Sequence, residues 1–264
     1  MAITQSQSEG RRRRPWSMAA ILACLLLTAL APLPARAAGT VAVDVGHGLW
    51  DSGAISARGA TEFDFNLNLA RVLRPVLEAR GLTVLPVNFD GEIESLQARV
   101  DAAAGSDFLL SIHHDSVASF KLTAWNWMGE DLDFADEDRG FALFISHRNP
   151  RQDESLACAS AMGRALRARG FVPATHHGTT AAGTPRPWAD EENGVRFYDT
   201  LFVISHGAMP SVLFEAGVLK HRDEELALRD RSRQQAMAQG LAEGLAVCLG
   251  EPLKAEGQLP GPRN

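Results

Sequence analysis

The sequence predicts an α/β domain: a single, mostly parallel, six-stranded twisted sheet with helices on both faces. Three observations carry that expectation. Short apolar runs alternate along the chain with longer segments of helical periodicity, the pattern of a parallel sheet covered on both sides. Without its first 37 residues the chain has about 227 residues, enough for one domain with a full-sized core. No internal repeat divides it.

The elements follow in order. Thr40–Val45 reads as a buried strand, with Gly46-His47-Gly48 turning at its end. Over Glu62–Arg80, Leu67, Ala70, Leu73 and Leu77 recur at helical spacing, and Gly81 stops the helix. Pro75 should kink it or leave one carbonyl unpaired. Leu82–Val87 is a second strand, Ile93–Ala104 a short helix and Asp107–His113 a third strand. Gly140–Ser146 is a fourth strand, and Glu154–Arg169 a helix ended by Gly170. Thr200–Ser205 and Ser211–Glu215 complete the sheet, and Glu224–Leu249 is one long amphipathic helix. Two long polar segments, Val117–Arg139 and Thr175–Tyr198, read as loops. Loops of that length serve either as solvated excursions or as functional elements.

The N-terminus reads as a secretory signal. Arg11 to Arg14 form a basic stretch, and Met18 to Ala31 an apolar run too short for an ordinary membrane span. Ala35-Arg36-Ala37 is a small-x-small cleavage site, so residues 1–37 are the signal peptide. An uncleaved anchor is the competing reading; Pro32 and Pro34 oppose it. Arg13-Arg14 leaves the export route open between the general and twin-arginine systems. The expectation is an exported periplasmic protein without stable membrane insertion. Five Arg and one Glu leave with the signal, taking Lys+Arg from 26 to 21 and Asp+Glu from 32 to 31. The resulting net charge of −10 argues against nucleic acid as a partner. Residues 38–250 read as the one folded domain, and the Pro-, Gly- and charge-rich residues 251–264 as a disordered tail. Cys158 and Cys248 remain, either as a disulfide or as buried free thiols.

Four residues from separate segments point to one chemistry. His47, His113 and Glu215 fall at the C-terminal ends of expected strands, where ligands of α/β sheets collect. Glu62 opens a helix. Two histidines and a carboxylate can hold a catalytic zinc, with a second carboxylate as base. Singly, each has a plainer explanation. A strand-end histidine can be a satisfied core residue, and Glu62 a charge favourable to its helix dipole. Glu215 is harder to dismiss, because a lone carboxylate after Val212-Leu213-Phe214 needs a cation; a salt bridge to an Arg would also serve. His114 should point to the opposite side of its strand from His113.

These residues sit in blocks that resemble the zinc-dependent N-acetylmuramoyl-L-alanine amidases, the cell-wall amidases of type 3. The blocks are Val43-Asp44-Val45-Gly46-His47-Gly48, Asp51-Ser52-Gly53-Ala54 with Gly59 and Glu62, Ser111-Ile112-His113 with Asp115-Ser116, and Pro210 to Gly217. The likeness covers nearly all of residues 40–249. It implies His47, Glu62 and His113 as metal ligands, one Zn²⁺ per chain, and Glu215 as the catalytic base. It implies hydrolysis of the amide between N-acetylmuramic acid and L-alanine, with peptidoglycan or muropeptides as partner and a monomeric enzyme. Val45 replaces the family's proline, His114 a small residue, and Val218-Leu219-Lys220-His221 its usual Phe-x-Ser-Asn. The second of these leaves a switch of ligand to His114 open. In some relatives an inserted helix covers the zinc until an activator protein displaces it, and either long segment could do so here. Two rival functions stand beside this one: another zinc peptidase or deacetylase acting on wall fragments, and a non-catalytic wall-binding regulator.

Overall fold

The computed structural model describes residues 39–178 and 186–250. The expected signal peptide and C-terminal tail lie outside the described residues. Val41, Val43 and Val45 of β1 (Thr40–Val45) point to one side of the sheet and Ala42 to the other. Both sides are buried from Val41 onward, and there the strand is apolar except for Asp44. β1 pairs in parallel with β2 (Thr83–Val87) and β3 (Phe108–Asp115). β3 pairs in parallel with β9 (Ser211–Val218), which pairs antiparallel with β6 (Ala142–Ile145). Beyond β6 lie β8 (Val195–Phe197), parallel to it, and β7 (Trp188–Asp190), antiparallel to β8. The order is β2-β1-β3-β9-β6-β8-β7.

Helices cover both faces, as expected. On one face α1 (Glu62–Ala79), α3 (Gln152–Ala168) and α6 (Arg231–Cys248) bury Leu69, Leu73, Met162, Leu241 and their neighbours against Val43, Leu110 and Phe214. On the other, α2 (Leu96–Ala102) and α4 (Phe202–His206) place Val100 and Val203 against Ala42 and Leu109. Gly244 lets α6 approach α3 closely: a Cβ there would lie 2.4 Å from the Met162 backbone. The same contact joins Cys158 to Cys248 in a disulfide, which settles the choice between paired and free thiols. Pro75 lies on the exposed side of α1, where solvent can take the Arg71 carbonyl that lacks its helical donor.

Five expectations need correction. The main sheet has seven strands among the described residues, not six. Thr200–Ser205 is not a strand; its apolar core forms the short helix α4. A run of that length and composition reads equally as buried strand or buried helical turn. Thr175–Tyr198 supplies β7 and β8, each three residues long and too short to show alternation. Val117–Arg139 contains a hairpin, β4 (Thr123–Trp127) with β5 (Glu130–Phe134), closed by Met128 and Gly129 with φ of 53° and 95°. The C-terminal helix is two helices, α5 (Arg222–Arg229) and α6. They part at Asp230, whose side chain caps α6 by accepting from Arg233 N.

Candidate metal centre

His47 ends the turn after β1 in a left-handed conformation, φ 63°. A buried network holds it there. Asn88 Nδ2 donates to the carbonyls of Val45 and His47 at 2.8 and 2.6 Å. The Arg99 guanidinium donates to the same two carbonyls and lies 3.4 Å from Asp44, whose other oxygen accepts from Ser111 Oγ at 2.7 Å. Strain at a bulky residue with positive φ persists only where its surroundings over-determine it. The network explains why Asp44 interrupts an otherwise apolar strand.

Glu62 is the first residue of α1 and is buried, 5% exposed. Its Oε2 lies 3.2 Å from His47 Nε2, and its Oε1 lies 2.9 Å from His113 Nδ1. Ala54 N donates to Oε2 at 3.1 Å. Burial opposes its charge, but the hydrogen bonds to His113 and His47 outweigh that and hold the carboxyl well below its usual range. Burial also works against a charged His47; the Glu62 hydrogen bond and charge overcome it and raise that imidazole. The His47 and His113 rings meet edge-on with centroids 5.1 Å apart. Glycine is required beside them. A Cβ at Gly46 would lie 2.3 Å from the His113 ring, and one at Gly53 2.6 Å from Glu62 Oε2.

His47, Glu62 and His113 thus offer three ligand atoms within 4.8 Å of one another. His114 is held elsewhere. Its Nδ1 lies 2.8 Å from Asn66 Oδ1, its ring packs on Phe65, and burial pushes its pKa down to about 3. Glu215 stands opposite His113 in the register of β3 and β9. Its Oε2 is shut from solvent without a hydrogen-bond partner. Burial, then the charges of Asp115 and Glu62, push its pKa well above the ordinary value, while Arg186 pulls the other way.

A second group of the same composition flanks Glu215. His176 Nε2 lies 2.7 Å, and His177 Nε2 2.9 Å, from one oxygen of Asp115, again with ligand atoms within 4.8 Å. Sequence reading placed His176 and His177 in a loop and gave them no role. The available signal was Asp115, two residues beyond His113 on the same strand and so on the same side of it. The Arg186 guanidinium sits against His177 Nδ1. A guanidinium only donates, so Nδ1 accepts and the ring proton lies on Nε2, facing Asp115. That tautomer leaves His177 Nε2 without a lone pair for a metal. Three carboxylates, Glu62, Asp115 and Glu215, gather here with Arg186 acting on Glu215, and the donor set whose chemistry fits a divalent metal is His47, Glu62 and His113.

Fold and site define a class: α/β domains whose reactive groups gather beyond the C-terminal ends of parallel strands. Within it, this chain belongs to the N-acetylmuramoyl-L-alanine amidase family, whose model matches residues 41–247. It is 25% identical over 235 residues to the probable N-acetylmuramoyl-L-alanine amidase AmiB of Haemophilus influenzae, covering 79% of this chain and 51% of that protein. The chain therefore spans about half the length of that relative. It is 25% identical over 221 residues to the amidase AmiA of Salmonella typhimurium, covering 78% and 74%. The catalytic domain of CwlV from Bacillus (Paenibacillus) polymyxa superposes with a TM-score of 0.61 at 27% identity, covering 81% of this chain and 99% of that one. The fold is also that of Ami1 from Mycobacterium smegmatis, TM-score 0.65 at 21% identity, covering 82% and 99%. Among the described residues no helix is long and apolar enough to cross a membrane.

Proposed function

We propose that the mature chain is an exported, periplasmic zinc amidase. It hydrolyses the amide bond between N-acetylmuramic acid and L-alanine in peptidoglycan. The observation that carries this reading is the convergence of His47, Glu62 and His113 beside Glu215, in a chain of the amidase family. His47, Glu62 and His113 would hold one zinc ion. When bound, zinc supplies charge that polarises the amide carbonyl and acidifies a water.

In this reading Glu215 moves the proton. It takes one from the attacking water as oxygen bonds to the carbonyl carbon. It returns that proton to the nitrogen as the carbon–nitrogen bond breaks, so a carboxylic acid and a free amine leave. A carboxyl whose pKa is lifted by burial and by neighbouring carboxylates suits both halves of that exchange. Glu62 orients both imidazoles through its two oxygens, and the Asn88–Arg99 network keeps the His47 turn rigid.

Digestion of purified peptidoglycan with the mature protein tests the reading. Mass spectrometry should find free peptides beginning with L-alanine and intact glycan strands. Shortened peptides still attached to glycan would mean a peptidase, and loss of acetyl groups a deacetylase. Intact starting material in the presence of zinc would leave only the non-catalytic reading.

A further inference from the structure

The two sides of the candidate metal centre differ in chemistry, and the strand order sets them on opposite flanks. β3 and β9, which carry His113 and Glu215, are central. On the β1–β2 flank, the loop after His47 exposes Trp50 and Leu49, at 76% and 66%. Leu49 N donates to Gly91 O at 2.8 Å, tying this loop to the one after β2. A cleft of about 250 Å³ runs from His47 and His113 to Trp50, Glu94 and Leu96. Its charged lining is Asp44, Arg99, Asp51 and Glu94; Arg99 is paired with Asp44, which leaves Asp51 and Glu94 in excess, and Glu92 stands beside Trp50 in the adjoining hollow. On the β6–β8 flank a cation, Arg186, stands beyond the Asp115 group. Arg186 lies 4.1 Å over the Tyr198 ring, sits against His177 and is the cation nearest in effect to Glu215.

The scissile amide of the proposed substrate joins unlike halves, an uncharged sugar and a peptide that bears carboxylates. We infer that the substrate lies across the centre in one direction, its sugar half on the Trp50 flank and its peptide half on the Arg186 flank. This rests on the proposed amidase function. An exposed indole offers an apolar face to the C–H face of a sugar ring, and carboxylates, which only accept, match its outward hydroxyls. The same carboxylates repel an anionic peptide. A guanidinium braced on an aromatic ring is the usual reader of a carboxylate.

Calorimetric titration tests the direction without turnover, with zinc-loaded mature Glu215→Gln protein as the parent for every variant. The ligands are an uncharged N-acetylglucosaminyl-N-acetylmuramic acid methylamide, a free L-alanine-headed peptide with its carboxylates, and that peptide amidated. Trp50→Ala should weaken the sugar about five-fold or more and leave the peptide unchanged. Trp50→Tyr should restore sugar binding. Arg186→Gln should weaken the free peptide about ten-fold and leave the sugar unchanged, with Arg186→Lys in between and no effect on the amidated peptide. The opposite pairing of variants and ligands, equal effects on both ligands, or binding of neither ligand to the parent would overturn the inference. Product identification from peptidoglycan is independent of these titrations. A missing amide cleavage would sink the amidase reading; a wrong pairing in a working amidase sinks only the direction.

Discussion

Two His–carboxylate–His groups lie side by side here, and their ligand atoms are gathered equally tightly. What separates them is the partner of the outer ring nitrogen. His47 Nδ1 lies 3.7 Å from the Asp51 carboxylate, an acceptor that can take the ring proton when a cation occupies the Nε2 side, which faces Glu62 at 3.2 Å. His177 Nδ1 faces a guanidinium, a donor that pushes the ring proton inward. Proximity of donors is therefore a poor guide to a metal site. The proton on the inner nitrogen decides, and it is set one residue further out.

The largest test of that contrast exchanges one histidine from each group. His113→Ala should abolish stoichiometric zinc and all amide cleavage. His177→Ala should keep one zinc per chain, read by elemental mass spectrometry. Two zincs in the unaltered protein, falling to one in the His177 variant, would reverse the assignment. Next in size is Glu215→Gln. It should retain zinc and lose about 10²–10⁴-fold in peptide release, the usual contribution of a positioned base. Smaller again is Gly46→Ala. Its added methyl displaces the His113 ring while the residues His47, Glu62 and His113 themselves are unchanged. Zinc affinity should fall about 10–100-fold, the scale of changes to groups that orient ligands. An unchanged affinity would show that the ring position is not held by Gly46.

The legible part of the fold was the part with strong periodicity. β1, β2, β3, α1 and α3 could be read because Val43, Leu110, Leu73 and Met162 repeat at strand or helix spacing and all face one core. β7, β8 and the β4–β5 hairpin were not. Their strands are three to five residues long, and Met128-Gly129 is not the Asn-Gly turn that announces a hairpin. Trp125 Nε1 holds that hairpin to Ala57 O at 2.9 Å, a contact of separation 68 that no local pattern encodes. The same split runs through the site. His47, Glu62, His113 and Glu215 stand in blocks with recognisable spacing. Asn88, His177 and Arg186 act through contacts between distant segments, and a polar residue in a loop carries no mark of what it will face. The paired Cys158 and Cys248, 90 residues apart, belong with these.

The smallest effect concerns Asp115, the carboxylate of the second group. Burial raises its pKa, but its interactions with His177 and His176, hydrogen bonds among them, dominate and hold it well below its ordinary value of 3.8. The sign follows from proton counting. Between the folded and unfolded pKa values the unfolded chain binds more protons, so stability rises with pH there. The Asp115 contribution is complete above pH 3.8 and is lost as pH falls towards the folded value. Asp115→Asn has no such dependence. The difference in unfolding midpoint between the two proteins should be largest near pH 6 and shrink steadily below about pH 4. A difference that stays constant down to pH 3 would mean that the carboxylate charge is not what binds the two imidazoles. The contrast between the two groups would then rest on Arg186 alone.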